Sequence, residues 1–75
     1  MLLTELEPGL SAKITDLSTV DSLVQRRLND LGVLEGEFVC LKRLLPFGGP
    51  CLFEACGQCI GIRRHDASKI SVECE

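Results

Sequence analysis

The chain has 75 residues, 45% hydrophobic and 25% charged, the composition of one small globular domain and not of a disordered segment. Eight basic against eleven acidic residues leave a net charge of −3, which argues against nonspecific nucleic-acid binding, since that needs a basic face. No apolar run approaches the roughly 20 residues that cross a bilayer, and residues 1–5 carry neither a basic leader nor a long apolar segment, so neither a signal peptide nor membrane insertion is expected.

In chain order, Glu7-Pro8-Gly9-Leu10 reads as a type II turn, with proline presetting φ and glycine supplying a positive one. A half-buried strand follows over 11–17, with Ala12 and Ile14 inward and Lys13 and Thr15 outward. Ser18 and Asp21 have the spacing of a capping box and predict a helix start. Val20, Leu23, Val24, Leu28 and Leu31 then form one apolar stripe at helical spacing. Gly32 suits the left-handed position just past the helix end, with Val33 folding back on Leu28. Gly36 completes a second type II turn in Leu34-Glu35-Gly36-Glu37.

A strand over 37–45 points Val39 and Leu41 inward, and Pro46-Phe47-Gly48-Gly49-Pro50 breaks it. Residues 51–56 and 59–63 predict a hairpin about a type II′ turn at Gly57-Gln58, which sets Cys56 opposite Cys59. Cys51, Phe53, Ala55, Ile60 and Ile62 share its inner face. Residues 64–69 form about one helical turn, and Ile70-Ser71-Val72 is a last short strand. The pattern predicts a mainly β fold over a single domain, 1–75. It is a small, partly open barrel of about five strands, closed by the first and last, with one α-helix inserted after the first strand.

A chain of this length buries only about 60% of its unfolded surface, so its core is thin and self-association is a natural way to cover an open edge. Five cysteines is an odd count for a disulfide scaffold, and the thiols are expected reduced, as in a cytosol.

Few residues suggest chemistry. Arg27 projects between Leu23 and Leu31, inside the apolar stripe. It either anchors the helix to the barrel or meets a partner. Asp30 lies within helical reach of Arg26 and Arg27. Cys56 and Cys59 form a lone C-x-x-C that could hold Fe2+ or Zn2+, respond to redox state, join two chains through a metal or disulfide, or carry no role, since a metal site needs three or four ligands. Phe47 is either an exposed anchor at a loop tip or a plug folded back into the barrel. His65, the only histidine, reads as a solvated loop residue. No Ser or Cys has a base and an orienting group implied nearby, so no enzyme activity is expected.

The segment Arg26-Arg27-Leu28-Asn29-Asp30-Leu31-Gly32-Val33, with Glu35-Gly36 after it, resembles the ferrous iron transport protein A (FeoA) family. So do Leu6-Glu7-Pro8-Gly9, Pro46-Phe47-Gly48-Gly49-Pro50, Ile62-Arg63 and Ile70-Ser71-Val72. The resemblance implies an SH3-like barrel in the bacterial cytosol, at the inner face of the membrane through its partner, the FeoB-type ferrous iron permease. It implies an accessory or regulatory protein that requires no cofactor, and C-x-x-C is not part of the family pattern. On this reading Arg26, Pro46, Phe47, Arg63 and Arg64 are the expected partner contacts, while Arg27, Gly32 and Gly36 are structural. The alternatives are a metal-binding or redox module using Cys56 and Cys59, and a detached relative of the SH3-like domains of iron-dependent repressors.

Overall fold

A computed structural model describes residues 1–74. A 3-10 turn at Leu3–Glu5 leads into β1 (Ser11–Asp16), α1 (Ser22–Asp30), β2 (Phe38–Leu44), β3 (Cys51–Ala55), β4 (Gln58–Ile62), the single-turn α2 (Arg64–Ala67) and β5 (Ser71–Cys74). The strands form one antiparallel sheet in the order β4-β3-β2-β1-β5. As expected, the first and last strands pair, with Ile14 opposite Val72. Register shifts between Ile14 and Asp16 and between Leu41 and Arg43 bend the sheet as bulges do, curling it around its inner face. The barrel stays open between β4 and β5, which α2 connects.

Alternation fills the interior. Ala12 and Ile14 of β1, Val39 and Leu41 of β2, and Cys51, Phe53 and Ala55 of β3 are buried, together with Ile60, Ile70 and Val72. Leu3 and Leu6 complete this core from a segment in which the sequence had suggested no structure. The Leu3 N–H donates to the Ile70 carbonyl at 2.9 Å, and the Val72 N–H donates to the Met1 carbonyl at 2.8 Å. The N-terminal residues therefore lie along β5 and cover its outer edge.

Two local expectations fail for identifiable reasons. The Ser18 capping box does not form. The Asp16 carboxylate accepts the Ser18 N–H at 2.8 Å, and this bond holds the Asp16 carboxyl below its ordinary range. The Val20 N–H turns back to the Leu17 carbonyl, so the helix starts only at Ser22. Val20 is buried ahead of the helix, and Leu23, expected in the stripe, is 68% exposed.

The second failure is the hairpin turn. Ala55 pairs with Gln58, so the two-residue loop is Cys56-Gly57, with φ of +53° and +77°. That is a type I′ turn, and Cys56 is not opposite Cys59; Glu54 is. Pairing has moved by two positions. Side chains alternate with period two, so the inner face is unchanged.

The helix ends as expected. Gly32 has φ +85°, its N–H donates to Asn29, and the Val33 N–H reaches the Leu28 carbonyl at 2.8 Å, with Leu28 and Val33 both buried. Gly36, φ +94°, forms the second expected turn, with the Glu37 N–H on the Leu34 carbonyl at 3.0 Å.

Candidate protein-docking surface

The hairpin joining β2 and β3 ends in Pro46-Phe47-Gly48-Gly49, closed by the Gly49 N–H on the Pro46 carbonyl at 3.1 Å. Phe47 and Gly48 have φ of +59° and +73°. This backbone turns the ring outward: Phe47 is 104% exposed and does not plug the barrel. A second strap below it, from the Leu45 N–H to the Pro50 carbonyl at 3.1 Å, holds the loop as a short stalk.

The arginines divide differently from the sequence expectation. Arg64, expected to meet a partner, is half-buried, and its Nη2 donates to the Leu45 carbonyl at 2.8 Å, while its Nε is buried without a partner. It braces the Phe47 stalk from α2. Burial pushes the neighbouring Cys51 thiol up from its ordinary range, and the Arg64 charge offsets part of that rise. Arg64→Ala is expected to cost about 1–3 kcal/mol, because it leaves a half-buried carbonyl without its charged donor. Chemical denaturation followed by circular dichroism checks this; a loss under about 0.5 kcal/mol would remove the bracing role.

Arg27, expected to anchor the helix, is exposed and makes no side-chain hydrogen bond or ion pair among the described residues. At about 100° per residue, Leu23 and Arg27 lie roughly 140° and 100° round the helix from the buried Leu28, on a face turned away from the core. That face forms one wall of a groove of about 810 Å³. Val24, Leu28 and Leu31 line the same wall, with Ile60, Gly61 and Ile62 of β4 opposite. Pro50, Arg63 and His65 lie at the end nearest the Phe47 stalk, and Asp21 and Asp66 also border the groove. Arg63 is exposed; so is Arg26, but it lies outside the groove lining. Asp30 pairs with neither helix arginine, and Lys42 with Glu54, at 4.0 Å, is the ion pair among the described residues.

The structure thus brings Pro46, Phe47 and the braced Arg64 together at one end of the barrel, and Arg63 to the end of the adjoining groove. The groove was missed because Leu23 was assigned to the core; the glycine amid β4, at Gly61, was the available signal.

Cys56 and Cys59 are both exposed free thiols. The Cys56 Sγ lies 3.4 Å from the Gly32 carbonyl at the helix end, while Cys59 stands on β4 beside Glu54. Among the described residues no three potential metal ligands come together.

Five antiparallel strands curled around one small core, with a helix after the first strand, define an SH3-like domain. The chain belongs to the FeoA family: the FeoA domain matches residues 1–74. It is similar to the FeoA protein of Chlorobium tepidum, at 34% identity and a TM-score of 0.90, over 99% of this chain and 70% of that one. It is also similar to the FeoA of Stenotrophomonas maltophilia, a prokaryotic SH3 domain protein crystallised with zinc, at 31% identity and a TM-score of 0.74, over 97% and 89% of the two chains. A manganese-dependent transcriptional repressor matches at a TM-score of 0.87 but 15% identity, over the whole of this chain and 41% of that one, a likeness of fold alone. No curated protein sequence matches the chain. None of its described helices is long and apolar enough to cross a membrane.

Proposed function

We propose that this chain is a non-catalytic accessory protein of ferrous iron uptake that binds the cytosolic side of an FeoB-type permease through the end of the barrel bearing Phe47. Membership of the FeoA family supports the transport role. The observation that supports the contact surface is Phe47 itself, fully exposed on a doubly strapped turn. A turn whose backbone is held in the free protein loses little conformational freedom on binding, and exposed aromatic anchors dominate interface energies. Pro46 extends the apolar tip, and Arg63 supplies charge beside it. The protein works at the inner face of the membrane by way of this partner.

The test is affinity for the purified permease in detergent, measured beside iron uptake in cells lacking the native chain. Phe47→Ala and Arg63→Glu are expected to keep the far-ultraviolet spectrum of the parent. Phe47→Ala should weaken binding by about 30-fold, the scale of a lost hot spot. Full affinity and full uptake in both variants would overturn the proposal.

A further inference from the structure

The two edges of the sheet are treated differently. Met1 and Leu2 cover the β5 edge, through the Val72 N–H on the Met1 carbonyl and the bridge from Leu2 to Ser71. Among the described residues no segment pairs with the β4 edge. Natural edges are usually blunted by charge, proline or a bulge. Gln58–Ile62 reads Gln-Cys-Ile-Gly-Ile, with neither charge nor proline, and its register with β3 is unbroken over five pairs.

The polarity of that edge follows from the turn. Residues flanking a two-residue hairpin loop exchange both backbone hydrogen bonds, and bonded pairs then alternate along the ladder. Ala55 and Gln58 flank this loop, so Gln58, Ile60 and Ile62 bond inward to β3. Cys59 and Gly61 direct their N–H and C=O groups to the open edge.

Gly61 opens into the groove beneath α1. The Gln58 Nε2 donates to the Leu31 carbonyl at 2.9 Å, which joins the start of β4 to the end of α1. An extended chain laid along β4 would therefore meet main-chain partners on one side and Leu23, Val24 and Leu31 on the other. Arg27 stands in the middle of that wall and pairs with no carboxylate among the described residues. Asp21 and Asp66 border the groove together with Arg63, so charges of both signs meet there, while Arg27 is the cation of the α1 wall.

We infer that the β4 edge and the α1 wall form a strand-addition site for an extended segment of a protein partner, with apolar side chains at alternate positions and one carboxylate between them that pairs with Arg27. Main-chain bonds to Cys59 and Gly61 supply affinity, and the alternate side chains supply selectivity. This site is separate from the Phe47 contact and does not rest on it.

The probe is the synthetic peptide acetyl-Thr-Val-Thr-Asp-Thr-Val-Thr-amide, titrated into the full 15N-labelled chain. Binding should shift the Cys59 and Gly61 amide resonances and slow their hydrogen exchange by about tenfold or more. Arg27→Glu should weaken the peptide about fivefold, the scale of one partly exposed ion pair. The same variant should prefer the peptide with Lys in place of Asp, which an unfolded or merely disturbed variant would not do. Phe47→Ala should bind the peptide as the parent does, which separates this site from the permease contact. No shift at Cys59 and Gly61 up to about 1 mM peptide, the limit of a weak complex, would overturn the inference. So would equal binding of both peptides by Arg27→Glu.

Discussion

Phe53→Ala is expected to lower stability by about 3–5 kcal/mol, the cost of emptying a buried aromatic site. Phe53 is fully buried at the centre of the barrel and is the largest side chain there. Its neighbours cannot close the gap cheaply. The flanking inward residues of β3, Cys51 and Ala55, are small, and Leu41 opposite it on β2 is already fully buried. A domain of 75 residues has roughly 4–11 kcal/mol in total at typical stability per residue, so this one change removes a large share of it. Each kcal/mol corresponds to about 4–8 °C in melting temperature at this size, so the midpoint should fall by at least about 12 °C. Phe47→Ala should leave the midpoint within about 4 °C, because the ring touches solvent and not core. Thermal unfolding of the two variants side by side checks both statements. Similar losses in the two would mean that the outward Phe47 conformation is wrong, and with it the docking surface.

The contrast between these two phenylalanines shows where the sequence is informative. Phe53 is legible because it sits in a strand whose alternation, Cys51, Phe53 and Ala55, points one way regardless of the turn that follows. The two-position error in pairing therefore left the core assignment intact. The Schellman ending at Gly32 and the turn at Gly36 were equally legible, because a positive φ is a local requirement that glycine meets at little cost. Phe47 was not decidable: a residue between proline and glycine can face either way, and only the hydrogen-bonded turn turns it out.

The helix face was misread for a different reason. Periodicity finds the stripe but not the point where the helix begins. The Asp16 carboxylate, by capturing the Ser18 N–H, delayed that start and took Val20 out of the helix, and the stripe then buries its Leu28 side while Leu23 and Arg27 face outward. The arginines then exchanged expected roles, because bracing of the Leu45 carbonyl by Arg64 joins residues 19 positions apart. Periodicity carries no signal for such a contact. The Leu3 and Leu6 contribution was invisible for the same reason, since it depends on where β5 lies.

Leu28→Ala should release α1 from the barrel at a cost of about 2–5 kcal/mol. Leu28 is the one fully buried side chain of α1; Val24 and the residue just past the helix, Leu31, are half-buried, and Leu23 is exposed. It also supplies the carbonyl that receives the Val33 N–H, and its side chain lies in the same core as that of Val33. A nine-residue helix is too short to persist in water without such packing. What remains to hold it are side-chain bonds: Gln25 of the helix on the Leu17 carbonyl, Gln58 on the Leu31 carbonyl just past its end, and Glu35 on the Leu17 N–H, which ties the two flanking segments together. These are exposed or half-exposed, and each contributes only about 0.5–1.5 kcal/mol. The sheet does not depend on α1 for its pairing, so the loss should be uneven. Hydrogen exchange should quicken first over Ser22–Asp30, while Ile14 and Phe53 amides keep the protection of the whole barrel. Uniform loss across helix and sheet would instead make α1 part of one cooperative unit. With the helix undocked, the wall opposite β4 goes, so the variant should fail to bind the Val-Asp-Val probe while the Phe47 contact persists. The helix would then act less as core than as a removable wall, held over the bare strand edge by a single leucine.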